Sequence, residues 1–290
     1  MVVKKMLVLD IDGTSITDTY NVTDELQQVI HFIKKEHMVY IATGRSVSDA
    51  YRYYQAFNLK NDLICHNGGL IYNPNSGVVR YKNNICNAEN IIEFLLKYQH
   101  EYNINNVVLS RCNETYLLTN ENEYLHEIII NQDLPHFHIG HNLAQIHDVQ
   151  RIIISISSDF REALQNEVVR LFENIIVCGW RGRDDIIDIS VGSVNKWTAV
   201  KGIAEENEVM DQNIISFGDA FNDIELLKNS GIGICMINGV DEAKDVADYI
   251  TEFDNNENGV YHFLMNQLST IFNITQNEWR RGKEVNHGSY

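Results

Sequence analysis

Two aspartates one residue apart, Asp10 and Asp12, stand directly behind the apolar run Met6-Leu7-Val8-Leu9. The run reads as a buried strand. Carboxylates at the end of such a strand repel each other where little water screens them. The pair makes sense where a cation holds it together or where it does chemistry. The competing reading is a strand-ending turn, because Asp, Gly and Thr are common turn residues. Gly13 lets the backbone approach a ligand closely, and Thr14 adds a hydroxyl near the turn.

Beyond this turn the chain alternates helix and strand. Thr23 caps a helix whose first turn carries Asp24 and Glu25, suited to the positive end of the helix dipole. Its Leu26, Val29, Ile30 and Ile33 form one apolar stripe. Met38 to Ala42 reads as a second strand, Val47 to Phe57 as a second helix and Leu63 to Cys65 as a third strand. This is the pattern of a parallel sheet with helical crossovers. The middle differs. Strands are expected at 78–81, 107–110, 114–119, 152–157 and 175–178, with helices at 88–101 and 160–172. From about residue 186 the first style returns, with a helix opened by Lys196, strands at 214–217 and 232–236, and a short last strand at Tyr249-Ile250. The expected fold class is α/β: a Rossmann-like parallel-sheet core formed by residues 1–82 and 186–290, interrupted by an inserted α+β module at 83–185. The tail from Trp279 onward is polar and reads as frayed.

Composition narrows the partners. The net charge of -17 argues against nucleic acid, which is bound by basic surface, and against anionic membranes. No apolar run approaches the roughly 18 residues of a membrane span. The start, with Asp10 and Asp12 breaking its apolar stretch, does not read as a signal peptide. The five cysteines are scattered, odd in number and without a CxxC, which fits free thiols in a reducing cytoplasm. The cluster His136, His138 and His141 is read as exposed loop histidines rather than a metal site.

Four strand ends or helix starts carry polar groups: Asp10 and Asp12; Thr43-Gly44-Arg45; Lys196; and Gly218-Asp219-Ala220-Phe221-Asn222-Asp223. Each has a plain alternative. Thr43 and Asp219 are ordinary caps, Lys196 an ordinary solvated helix residue, and Asp223 a first-turn acid. Their joint occurrence is harder to explain that way. All four fall at the carboxyl edge of a parallel sheet, where ligands bind.

In this order the four segments resemble the motifs of the haloacid dehalogenase superfamily, and the branch resembles the Cof-type phosphatases, whose large α+β cap is inserted between the second and third motifs (class IIB-like). Asn67-Gly68-Gly69, Asn238-Gly239-Val240-Asp241-Glu242-Ala243-Lys244, the stretch Ala247 to Thr251 and Asn258-Gly259-Val260 extend the likeness, which covers residues 5 to about 265. Departures are Ala220 where Ser or Asn is frequent, Gly69 and Gly239 for Ala, Asn258 for Asp, and Ser15-Ile16 for a leucine pair. None removes a catalytic group.

The resemblance implies a phosphatase for small phosphomonoesters, such as sugar phosphates or nucleotide-like cofactors. It makes Asp10 the nucleophile that forms an aspartyl-phosphate and Asp12 the acid and base. Lys196 neutralises charge, and Gly13, Thr43, Gly44 and Asn222 join it around the phosphate. Asp10, the Asp12 carbonyl, Asp219 and Asp223 would hold Mg²⁺, a hard ion that suits oxygen ligands. Arg45, Arg181 and Arg183 are candidates for binding the substrate, with solvated surface arginine as the plain alternative. A monomer or a homodimer acting on a phosphorylated metabolite fits all of this. A phosphomutase or phosphotransferase on the same scaffold is the runner-up, and a non-catalytic sensor the third reading.

Overall fold

The computed structural model describes residues 3–119, 137–139, 147–180, 182–275 and 278–279. They fall into two compact units. One is drawn from the chain up to Thr43, from Arg52–Leu63 and from Lys196 onward; the other comprises Gly44–Tyr51 and Ile64–Asn195.

Strand β1 (Met6–Leu9) is wholly apolar and wholly buried. The helix Asp24–Ile33 comes next, and Thr23 Oγ1 accepts the Leu26 amide at 3.2 Å, the cap its sequence predicts. Leu26, Val29, Ile30 and Ile33 are all buried, each worth about 1.5–3 kcal/mol relative to exposure. Strand β2 (Met38–Ile41) continues the unit, and the helix Val47–Ala56 follows, its residues up to Tyr51 counted with the second unit and those from Arg52 with the first.

The third expected strand does not join the parallel sheet. Strand β3 (Leu63–Cys65) forms a three-stranded sheet with β4 (Leu70–Asn73) and β5 (Val78–Lys82). The reason lies in the turn between β3 and β4. His66, Asn67 and Gly68 all have positive φ (50°, 55° and 98°), which reverses the chain and makes β4 the nearest partner. Asn-Gly is a strong hairpin signal, so the reversal was readable.

The second unit continues with the helix Ala88–Lys97, strands β6 (Ile104–Arg111), β7 (Glu114–Leu117), β8 (Phe137–Ile139) and β9 (Arg151–Ile156), the helix Ser158–Leu171, and strands β10 (Ile175–Trp180) and β11 (Arg183–Val191). The sheet order is β10-β11-β9-β6-β7-β8, antiparallel except for the parallel pair β7–β8. Ile152, Ile154 and Ile156 of β9 enter a core shared with Ile91, Leu95 and Leu164 of the two helices. Besides β4, two strands escape the sequence pattern. β11 is broken up by Asp184, Asp185 and Asp188, poor strand formers, and β8 lies in the stretch read as a loop. His138 of β8 stacks on Tyr116 with ring centroids 4.8 Å apart; His136 and His141 lie outside the described residues.

The first unit resumes with the helix Lys196–Glu206, β12 (Ile214–Gly218), the helix Ile224–Asn229, β13 (Ile232–Cys235), the short helix Asp241–Lys244, β14 (Tyr249–Ile250) and the helix Gly259–Ile271. Its sheet runs β14-β13-β12-β1-β2, parallel throughout, with Met6 level with both Ile214 and Met38. Strand order proceeds outward in both directions from the β1–β12 boundary. That boundary is the topological switch point, where a crevice opens beyond the carboxyl ends of the strands.

Candidate active site

Asp10 and Asp219 are the first residues beyond β1 and β12, on either side of the switch point. The Asp10 amide continues the ladder by donating to Phe217 O at 3.1 Å. Behind it, Ile11–Ser15 forms one wide turn closed by Ile16 N to Ile11 O at 3.2 Å. Asp12 (φ -72°, ψ 129°) and Gly13 (φ 68°, ψ 0°) take the central angles of a type II turn, which requires positive φ at the second position. Gly13 is needed for a second reason: a Cβ there would lie 2.4 Å from Asp219 Oδ2. The turn is tied at two further points. Ser15 Oγ donates to Asp10 O at 2.6 Å, and Thr14 Oγ1 donates to Asp219 Oδ1 at 3.1 Å.

Lys196 sits at the first position of its helix, the wrong end of the dipole for a cation, and is fully buried. Its Nζ donates to Asp10 Oδ1 at 2.5 Å and to Asp223 Oδ1 at 2.6 Å. Burial pulls the ammonium pKa down, but the two carboxylates outweigh it and raise the pKa, so the lysine stays charged. Asp223 lies in a 3-10 turn, Phe221–Asp223, and its Oδ2 accepts the amides of Asp219 (3.0 Å) and Ala220 (3.1 Å). Burial, opposed by Lys196 and reinforced by Asp223, Asp219 and Asp12, pushes the Asp10 carboxyl well above the usual range. Oxygens of Asp10, Asp219 and Asp223, all buried, lie within 4.8 Å of one another. Three carboxylates thus face one ammonium, and each buried ion costs several kcal/mol of desolvation. The donor set is hard oxygen throughout, which fits a cation of the Mg²⁺ type.

Thr43 leaves β2 at the same edge, where Ala42 N donates to Leu9 O at 2.9 Å, and it is fully buried. Asn222 lies between Asp219 and Asp223 and is half-buried, whereas Asp12 is exposed. Gly44 and Arg45 belong to the second unit. Gly44 O accepts from Arg151 Nη1 at 2.6 Å, and buried Arg45 accepts the His66 amide on its carbonyl at 3.1 Å. Arg183 opens β11 with its fork on Asp185, both bonds 2.7 Å. Arg181 lies outside the described residues. Asn238, quoted from the sequence as part of the likeness but given no role there, donates from Nδ2 to Gly13 O at 2.8 Å. Its one signal was an Asn-Gly pair just beyond β13, a turn that begins at the same sheet edge.

Residues 7–264 match the family model described as haloacid dehalogenase-like hydrolase. The chain is 27% identical over 270 residues to the 5-amino-6-(5-phospho-D-ribitylamino)uracil phosphatase YitU of Bacillus subtilis, covering 91% of this chain and 97% of that protein. Among solved structures, a haloacid dehalogenase-like hydrolase from Bacteroides thetaiotaomicron shares the fold with a TM-score of 0.79 at 20% identity, covering 91% and 99% of the two chains. The HAD subclass IIB sugar phosphatase BT4131 does so with a TM-score of 0.75 at 20% identity, covering 91% and 98%. With a parallel sheet whose switch point gathers Asp10, Lys196, Asp219 and Asp223, the chain belongs to the haloacid dehalogenase-like hydrolases.

Proposed function

We propose that this protein is a Mg²⁺-dependent phosphatase that hydrolyses small phosphomonoesters through an aspartyl-phosphate on Asp10. The observation that carries this reading is the buried group formed by Lys196, Asp10, Asp223 and Asp219 at the switch point. Phosphoryl transfer needs an in-line nucleophile, neutralised equatorial oxygens and a proton for the leaving group. An oxygen of Asp10 attacks phosphorus as the bond to the alcohol oxygen breaks, and Asp12 gives that oxygen its proton. Asp12 then takes a proton from water, whose oxygen attacks the phosphoryl group and frees Asp10. Asp12 suits this exchange because it is exposed, whereas Asp10 is buried on Lys196. Lys196 remains protonated and faces the transferred charge. Thr43, the Gly44 amide, Gly13 and Asn222 hold phosphoryl oxygens. When bound by Asp10, Asp219, Asp223 and the Asp12 carbonyl, Mg²⁺ neutralises charge on the phosphate. Both Asp223 oxygens are already engaged, which favours its acting through water.

YitU is named for a phosphorylated ribityl compound bearing a heterocycle, and BT4131 for sugar phosphates. We therefore take sugar phosphates and ribityl or nucleotide-like phosphates as the substrate class. Arg45, Arg181 and Arg183 remain the candidates for its non-reacting part, although the Asp185 pair occupies the Arg183 fork. Because β1 pairs with β12 across the intervening chain, the segment expected at 83–185 is read as an inserted cap; the compact unit that holds it also takes in β4 and β5 before residue 83 and the rest of β11 after residue 185. Cytoplasmic residence is inferred from five free cysteines.

The test is phosphate release from a panel of sugar and ribityl phosphates, including 5-amino-6-(5-phospho-D-ribitylamino)uracil, with Mg²⁺ or with EDTA. Release with Mg²⁺, loss with EDTA and a fall on the order of a thousandfold or more in Asp10→Asn are expected. Wild-type rates in Asp10→Asn, or no release from any ester, overturn the proposal. Phosphate recovered on a second sugar selects the phosphotransferase reading instead.

A further inference from the structure

The Asp12–Gly13 turn carries the exposed carboxylate that must meet the leaving oxygen, and it contains the most permissive residue of the segment. The backbone beneath the exposed Asp12 side chain sets the region that its carboxyl can reach. Two carboxamides from outside the segment hold that backbone. Asn238, in the loop after β13, donates from Nδ2 to Gly13 O at 2.8 Å. Asn255, buried in the loop after β14, donates from Nδ2 to Ile16 O at 2.9 Å and to Asp18 Oδ1 at 3.0 Å. The two loops are joined, since Ile237 N donates to Thr251 Oγ1 at 2.9 Å and that hydroxyl donates to Phe253 O at 2.7 Å. Gly13 O and Ile16 O bracket the last part of the wide turn. Thr14, between them, is already fixed on Asp219.

We propose that Asn238 and Asn255 are positioning residues for Asp12, acting through the carbonyls of Gly13 and Ile16. The inference rests on the phosphatase reading above. Neither side chain belongs to the phosphate- or metal-binding set proposed above. Each removes backbone freedom from the turn, so that the Asp12 carboxyl is delivered to one place. A catalytic group displaced by about 1 Å can lose on the order of a hundredfold in rate. The loss should fall more heavily on proton delivery than on the contacts that Gly13 and the Asp12 carbonyl make to phosphate and metal, because Asp10, Lys196 and the metal-binding carboxylates are held by other contacts.

That selectivity can be measured. An alkyl phosphate needs the proton at its leaving oxygen, whereas 4-nitrophenyl phosphate expels a stable anion and does not. kcat/KM stops at alcohol release and so excludes the later attack by water. In Asn238→Leu, which keeps the branched outline of the side chain but cannot donate, kcat/KM should fall at least about tenfold more for the alkyl ester than for the nitrophenyl ester. Asp12→Asn sets the reference pattern. Asn255→Ala is read in the same two assays, so a folding failure of one variant leaves the other. Equal losses on both esters, or no loss on either, overturn the inference while wild-type activity stands. A wild-type enzyme that releases phosphate from neither ester overturns the phosphatase reading, and the inference with it.

Discussion

His66 is a buried imidazole kept neutral by its surroundings. Only 1% of it is exposed, and burial first, then the nearby Arg151 charge, holds its pKa at about 3. An unfolded histidine titrates near 6.5, so between these values the unfolded chain binds a proton that the folded chain refuses. Stability is therefore full above about pH 6.5 and declines as pH falls toward 3, with roughly 2 kcal/mol lost by pH 5. Unfolding free energies from urea titrations at pH 7.5 and pH 5 should differ less in His66→Gln than in wild type by about that amount; equal differences would refute the linkage. His66 was not legible as a special residue, because one polar side chain behind a strand carries no pattern. Asp10, Thr43, Lys196, Asp219 and Asp223 were legible for the opposite reason. Asp10, Thr43 and Asp219 each follow an apolar strand run at the sheet edge, and Lys196 and Asp223 stood out only together with them. Asn238 falls between these cases, since its carboxamide acts on a carbonyl 225 residues away.

At the scale of elements, β9 and β11 are joined by a buried ion pair. Arg151 donates from Nε to both carboxylate oxygens of Asp188 at 2.9 Å, and its Nη2 adds a third, shorter bond. Trp180 Nε1 donates to Asp188 Oδ2 at 3.0 Å, and the Arg151 guanidinium lies 5.5 Å from the Trp180 ring. Removing one partner leaves the other charge buried, which costs about 3–5 kcal/mol, whereas replacing both with apolar residues is often nearly neutral. Asp188→Ala should lose that much in chemical unfolding, and Arg151→Met with Asp188→Leu should recover at least half. A double variant no better than the single would show that the loss is packing, not charge. The same pair explains why β11 hides in the sequence. Asp188 looks like a strand breaker until its partner, 37 residues earlier, is known. β1, β2, β12 and β13 needed no such partner, because a strand buried on both faces shows as an unbroken apolar run.

At the scale of the whole chain, alternating strands and helices were enough to predict a parallel sheet, but not its order. That β1 lies between β2 and β12 depends on the pairing of Met6 with Ile214, a contact that no local pattern records. The order matters because it brings Asp10 beside Asp219 and gathers three buried carboxylates in a chain of net charge -17. One lysine offsets only part of that charge, so a divalent cation bound by the folded state adds stability by mass action, roughly 2.7 kcal/mol at a hundred times its Kd. For a chain of this size that corresponds to a rise in Tm of about 5–10 °C. Thermal melts with and without millimolar Mg²⁺ should show the rise in wild type. Asp219→Asn should lose most of it, since the Gly13 turn and Thr14 aim that carboxylate into the cluster. Asp188→Asn should keep it, because Asp188 belongs to the second unit. An equal rise in Asp219→Asn would mean that Mg²⁺ stabilises through the general acidic surface, and the cluster would no longer account for the binding.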